Sequence, residues 1–219
     1  MIKNLIFDFD GVIVDSEIIV ARSLSTYLAK RNIKFEEKDF FKFAGNKTIE
    51  IISHLSKEFQ IIDKEEFYND IMMLAKDLYS NQLRSIKGVE KFLENTSHNR
   101  LIGSNNIKSR IIDGLKKINL SQYFCNDNIF SFDIVGQPKP DPAIYLKAIE
   151  VSEININETI IIEDSVIGVQ AGVAAGIKVI GLTAGGHWDH ARSDKELYDA
   201  GAYEVVSNYN DMLLLIDKL

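Results

Sequence analysis

The first apolar run of the chain, Leu5-Ile6-Phe7, is short, unbroken and stops at Asp8. An unbroken run of this length reads as a strand buried on both faces. Similar strand-like runs recur at Arg100-Leu101-Ile102-Gly103, Ile129-Phe130-Ser131, Thr159-Ile160-Ile161-Ile162, Lys178-Val179-Ile180-Gly181-Leu182 and Tyr203-Glu204-Val205-Val206. Between them the spacing of apolar positions changes to that of helices. Residues 88–94 read as a short helix, and 107–118 as an amphipathic one with Ile111, Ile112, Leu115 and Ile118 on one side. Asp141 reads as the cap of a helix with Pro142 at its first position, continuing through Ile144, Leu146 and Ile149. A glycine-bearing helix with Gly168 and Gly172 stops at Gly176, and helices over 195–200 and 211–218 complete the pattern. Strands alternating with helices predict an α/β fold with a doubly wound, mostly parallel, Rossmann-like sheet.

One segment does not alternate. From Ser16 to about residue 32, Ile18, Ala21, Leu24 and Leu28 recur at helical spacing. Phe40 and Phe41, then Ile49, Ile52, Leu55 and Phe59, then Phe67, Ile71, Leu74 and Leu78 continue the helical pattern with no strand between them. Four helical pieces between the first and second strands do not fit a strand–helix–strand unit. Residues 16–82 are therefore predicted to be an inserted all-helical cap domain, with the core built from 1–15 and 83–219.

The chemistry gathers where the strands end, which is where parallel sheets hold their ligands. The first strand ends in Asp8 and Asp10, spaced to share one side if the strand persists, followed by Gly11. The second ends at Ser104-Asn105, which also suits a helix cap. The clearest strand ends at Glu163-Asp164-Ser165. Between the last two lies Gln137-Pro138-Lys139-Pro140-Asp141-Pro142, which holds all three prolines and so stiffens the loop that carries Lys139. Asp8, Asp10, Glu163 and Asp164 against one Lys139 would repel one another without a divalent cation, and oxygen ligands suit Mg²⁺. With that ion the set suits a phosphate group. The glycines at 168, 172 and 176 read as helix–sheet packing.

Composition narrows the partners. The 219 residues carry 25 basic and 32 acidic side chains, a net charge of −7, so the surface does not attract nucleic acid or anionic lipid in bulk. No run approaches the roughly 20 apolar residues of a membrane span, and Asp8 and Asp10 interrupt the only N-terminal apolar stretch, so no targeting segment is read there. The single cysteine, Cys125, forms no internal disulfide and fits a reducing, cytoplasmic setting. Oligomeric state is not legible, and a monomer is compatible with the sequence.

Taken in order, Asp8-Phe9-Asp10-Gly11-Val12, Gly103-Ser104-Asn105, Lys139-Pro140-Asp141-Pro142 and Glu163-Asp164-Ser165 with Gly168 resemble the four motifs of the haloacid dehalogenase-like superfamily of phosphohydrolases. The helical insertion resembles the cap of its β-phosphoglucomutase and phosphoglycolate phosphatase branch. Asp15-Ser16-Glu17, Phe43-Ala44-Gly45-Asn46-Lys47-Thr48 and Thr183-Ala184-Gly185-Gly186-His187 are similar to segments of that branch. The resemblance implies Asp8 as a nucleophile that becomes an aspartyl phosphate, and Asp10 as the acid–base group. It implies Ser104 and Asn105 on the phosphoryl oxygens, Lys139 neutralising charge, and Asp164 with Glu163 holding Mg²⁺ beside Asp8 and the Asp10 carbonyl. The expected substrate is a small phosphorylated metabolite, a sugar phosphate, with Gly45, Asn46 and Lys47 as cap residues that could contact it.

Rival readings are a β-phosphoglucomutase-type mutase, for which Lys47 and Lys76 would seize a second phosphate, a halide-releasing dehalogenase, and a phospho-receiver module. Asp10 and Asp164 argue against the dehalogenase, and the paired acids and the insertion against the receiver. His187 and His190 lack a third ligand for zinc and read as a loop on the site's rim or as plain surface.

Overall fold

The computed structural model describes residues 1–43, 48–188 and 192–219. Six strands, β1 (Asn4–Phe7), β2 (Asn99–Ser104), β3 (Ile129–Ser131), β4 (Thr159–Glu163), β5 (Lys178–Leu182) and β6 (Glu204–Val206), form one sheet in the order β3-β2-β1-β4-β5-β6. Every pairing is parallel. Each residue of β1 and β4 is buried, which is why these strands are unbroken apolar runs rather than alternating ones. The chain builds outward from β1 to β3, then returns past β1 to begin again at β4. That reversal leaves a crevice at the carboxyl ends of β1 and β4.

The helix expected from Pro142 runs over Ala143–Ser152, with Pro142 itself at the cap position. The Asp141 carboxylate accepts the Ala143 N–H at 2.9 Å, so the expected capping acid acts one residue further out. The helix Val166–Ala174 is followed by Gly176 at φ +73°, the left-handed stop its sequence predicts. Gly172 is the packing glycine of that helix: a Cβ there would press on Val179 and Ile161 of the sheet.

The chain divides into two compact units, Met1–Asp15 with Arg84–Gly185 and Ser193–Leu219, and Ser16–Leu83 with Gly186–Arg192. The second unit takes in a short segment after β5 that the sequence pattern assigned to the core. Within it His187 is buried, 1% exposed, with its ring 5.9 Å from that of Trp188, so it is not plain surface. His190 lies outside the described residues. In the first unit the two ends of the insertion are fastened together. Val14 bridges Ser85, the Asp15 N–H donates to the Arg84 carbonyl at 3.0 Å, and the Ile86 N–H donates to the Ile13 carbonyl at 2.9 Å.

The helical unit has its own core. Helices Glu17–Ala29, Glu37–Phe40, Thr48–Glu58 and Lys64–Gln82 bury Leu24, Leu28, Phe40, Leu55, Phe67 and Ile71. The longest is opened by Asp63, whose side chain accepts the Glu66 N–H at 2.8 Å. Tyr27 and Phe67 stack with ring centroids 4.5 Å apart. Phe67 is fully buried, so Phe67→Ala should cost about 3–5 kcal/mol of stability. A urea melt of the variant checks this, and a loss below about 1 kcal/mol would remove Phe67 from the centre of this core.

Candidate active site

β1 stops at Phe7, three residues short of Asp10, so the strand does not persist far enough to give Asp8 and Asp10 a shared side by alternation. Pairing reaches Asp8 through its N–H, which donates to the Ile162 carbonyl at 2.9 Å. The backbone then turns: the Gly11 N–H donates to the Val14 carbonyl at 2.7 Å, and the Ile13 and Val14 N–H groups both reach the Phe9 carbonyl. Gly11 has φ +79°, and a Cβ on it would land on the Asp164 carboxylate, so this position needs glycine twice over. Phe7 is level with Ile102 of β2 and Ile162 of β4. That register sets Asp8 beside the acidic end of β4.

At that point Lys139 ties the strand ends together. Its ammonium lies 2.6 Å from Asp8 Oδ1 and 2.6 Å from Glu163 Oε1, and its side chain is 2% exposed. Burial alone would push the Lys139 ammonium down, but Asp8 and Glu163 prevail and hold it well above its ordinary value. Burial pushes the Asp8 carboxyl well up, Lys139 pulls it down, and Glu163, Asp164 and Asp10 push it up again. Asp8, Glu163 and Asp164 each offer an oxygen within 4.8 Å of the others, all buried, a group that could hold a metal ion. Three carboxylates against one ammonium is a donor set that a divalent cation would balance, and all its ligand atoms are hard oxygens.

Glu163 differs from the other two acids. Its Oε1 accepts from Lys139 and, at 2.8 Å, from the Tyr145 hydroxyl. Its Oε2 accepts the Asp164 and Ser165 N–H groups and the Ser165 hydroxyl. Five donors meet a carboxylate with about four lone-pair sites, so it is already satisfied by the protein. A Cβ on Gly168 would land on this carboxylate, so Gly168 makes room for a charged group rather than only for the sheet. Tyr145 is fully buried beneath Lys139, whose ammonium sits 4.9 Å from the ring centre, and burial followed by the Glu163 charge holds its phenol well above the ordinary range. Gly103 clears space for that ring: a Cβ there would lie 2.9 Å from Tyr145 Cε1.

The loop after β2 completes the set. The Asn105 amide grips the backbone of Lys139. Its Oδ1 accepts the Lys139 N–H at 2.7 Å and its Nδ2 donates to the Lys139 carbonyl at 3.3 Å. A side chain that closes both bonds on one residue fixes the loop that carries the lysine. Ser104 is buried, and its Oγ accepts the Asn106 N–H at 3.1 Å, which leaves its hydroxyl proton to donate elsewhere. Asn106 Nδ2 in turn donates to Asp10 Oδ2 at 3.0 Å. The structure thus brings Asp8, Asp10, Ser104, Asn105, Lys139, Glu163 and Asp164 together, and adds Asn106 and Tyr145, which the sequence pattern did not single out. Gly45, Asn46 and Lys47 lie outside the described residues.

A sequence model described as haloacid dehalogenase-like hydrolase matches residues 5–182. The 6-phosphogluconate phosphatase of Escherichia coli is 31% identical over 188 residues, covering 85% of each chain. A phosphorylated carbohydrates phosphatase of Thermotoga maritima is 27% identical over 210 residues, 93% of this chain and 94% of its own. Among solved structures, a conserved haloacid dehalogenase-like protein of Agrobacterium tumefaciens superposes with a TM-score of 0.91 at 30% identity, over 100% of this chain and 99% of its own. A family hydrolase of Deinococcus radiodurans, solved with bound phosphate and sodium, gives 0.87 at 25% identity, over 99% and 96%. With its six-stranded parallel sheet and its match to the family over most of its length, the chain belongs to the haloacid dehalogenase-like hydrolases, and the Escherichia coli and Thermotoga maritima relatives are phosphatases by name.

Proposed function

We propose that the protein is a Mg²⁺-dependent phosphatase that hydrolyses a small phosphorylated metabolite, a sugar phosphate, through a phosphorylated aspartate. The observation that carries this reading is the buried Lys139 ammonium 2.6 Å from Asp8, inside a group of three carboxylates. Lys139 presents positive charge where a phosphoryl group would meet the Asp8 carboxylate. The two curated relatives described above act on phosphorylated sugars by name, which supports hydrolysis rather than return of the phosphoryl group to the sugar. The phosphate in the Deinococcus radiodurans relative supports the ligand class.

Asp8 and Asp164, with the main-chain carbonyl of Asp10, would hold the ion. When bound, Mg²⁺ neutralises charge on the phosphoryl oxygens and on the carboxylates that surround it. Glu163, already taken up by five protein donors, instead holds Lys139 in place. In the first step an Asp8 oxygen forms a bond to phosphorus and the bond to the ester oxygen breaks. Asp10 gives its proton to that oxygen, so the product leaves as an alcohol. In the second step Asp10 takes a proton from water, the water oxygen bonds to phosphorus, and the Asp8–phosphorus bond breaks to return the carboxylate. Lys139 and the Ser104 hydroxyl face the phosphoryl charge throughout.

The ion assignment has a readout apart from turnover. Mg²⁺ should raise the melting temperature of the wild type, and Asp164→Ala should lose most of that rise, because a ligand stabilises only through the state that binds it. Chelator should abolish turnover and Mg²⁺ restore it. Full activity in chelator would exclude the ion from the reaction.

The roles of the two acids separate by leaving group. Asp10→Asn should slow sugar-phosphate turnover by about 10²–10⁴-fold. With p-nitrophenyl phosphate, whose leaving group needs no proton, the same variant should still phosphorylate and should accumulate the adduct. Asp8→Asn should form no adduct. Intact mass after acid quench reads this directly, and a phosphoryl group on the Asp8→Asn protein would reverse the assignment. A panel of phosphate esters that includes 6-phosphogluconate then tests the substrate class.

A further inference from the structure

We propose that Asn106 is a positioning residue that sets the orientation of the Asp10 carboxyl group. The inference rests on the reading of Asp10 as the acid–base group. Asp10 lies beyond the end of β1, where a single bridge to Val14 holds its backbone beside the Gly11 turn. Asn106 reaches it from 96 residues away and donates Nδ2–H to its Oδ2 at 3.0 Å.

The direction of the Asn106 amide is set by its own neighbours. Its Oδ1 accepts the Ile107 N–H at 3.0 Å, and its backbone N–H is tied to Ser104 Oγ at 3.1 Å. A flipped amide would set its NH₂ against the Ile107 N–H and its oxygen against a carboxylate oxygen, so the end facing Asp10 is the NH₂. With that donor on Oδ2, one oxygen of the Asp10 carboxyl group has a fixed place from which the group passes and receives its proton. Loss of Asn106 removes that hold on Oδ2, and the group that gives and takes the proton is less firmly directed toward the reacting oxygen. The three residues after the core of β2 then divide the work: Ser104 faces the phosphoryl group, Asn105 fixes Lys139, and Asn106 fixes Asp10.

Two variants separate positioning from a plain turn-forming role. Asn106→Ala removes both side-chain bonds. Asn106→Asp keeps an acceptor for the Ile107 N–H but turns a carboxylate oxygen toward Asp10. Positioning predicts that both lose about 10²-fold in kcat on a sugar phosphate with little change in KM, since misplacing a reacting group costs about that much. Both should keep the phosphorylation step with p-nitrophenyl phosphate, read as the mass adduct. In an Asp10→Ala background, Asn106→Ala should cost no more than about a further twofold, because the two side chains act as one unit. A structural role predicts instead that Asn106→Asp works like the wild type and that the losses multiply in the double variant, and either result overturns the proposal. If the wild type itself forms no aspartyl phosphate with p-nitrophenyl phosphate, it is the phosphatase reading that fails, and the two failures are told apart by that control.

Discussion

An ammonium with almost no access to water has to be held by its neighbours, and the core unit is arranged around that requirement. Lys139 sits between Asp8 and Glu163 at 2.6 Å from each, in a site where removal of one partner would leave a buried charge exposed to its own desolvation cost, about 3–5 kcal/mol in comparable cases. The surrounding features serve this arrangement. Glu163 is anchored by Tyr145, by Ser165 and by two backbone amides, so it does not swing away with the lysine. Asn105 fixes the backbone of Lys139 rather than its charge. At Gly11, Gly103 and Gly168 the contribution is an absent side chain, each leaving room for a group of the site.

Topology explains why these residues meet. β1 and β4 are adjacent in the sheet although more than 150 residues separate them, because the chain reverses direction of growth between β3 and β4. The crevice this creates is lined by strand-end residues from both halves, so acids from β1 and β4 are forced close together. Close acids repel, and a cation supplied by the chain offsets only part of that repulsion. The excess of negative charge is therefore a direct result of the strand order combined with the residues at the strand ends, and the same excess makes the site suited to a divalent ion and an anionic substrate.

How much of this could be read from the sequence depends on the distance over which each signal acts. β1 and β4 are legible because burial on both faces leaves unbroken apolar runs, and Lys139 because three prolines mark its loop. Asn106 is not legible, because beside Ser104-Asn105 it looks like one more polar residue opening a helix, and its partner lies 96 residues away. Tyr145 sits between Ile144 and Leu146, two of the apolar positions that mark its helix, and only the fold shows that its hydroxyl ends on a carboxylate. Gly168 and Gly172 look alike in sequence, four residues apart on one helix. One faces the apolar sheet and the other faces Glu163. Asp8 and Asp10 are paired by spacing, but the condition for a shared strand side, a strand that persists to Asp10, is not met because β1 ends at Phe7.

The turn after β1 has a further tie. The Tyr209 hydroxyl, buried and 197 residues further along the chain, donates to the Val12 carbonyl at 2.8 Å, and its ring packs 5.0 Å from that of Phe92. Synthesis proceeds from the amino end, and domains fold as their parts emerge. The loop that carries Asp10 is therefore made well before the helix beginning at Tyr209, and it acquires this anchor only when that helix has left the ribosome. A nascent chain that has made β1 still lacks this tie, so that the first turn is completed by a helix that contributes no reacting group.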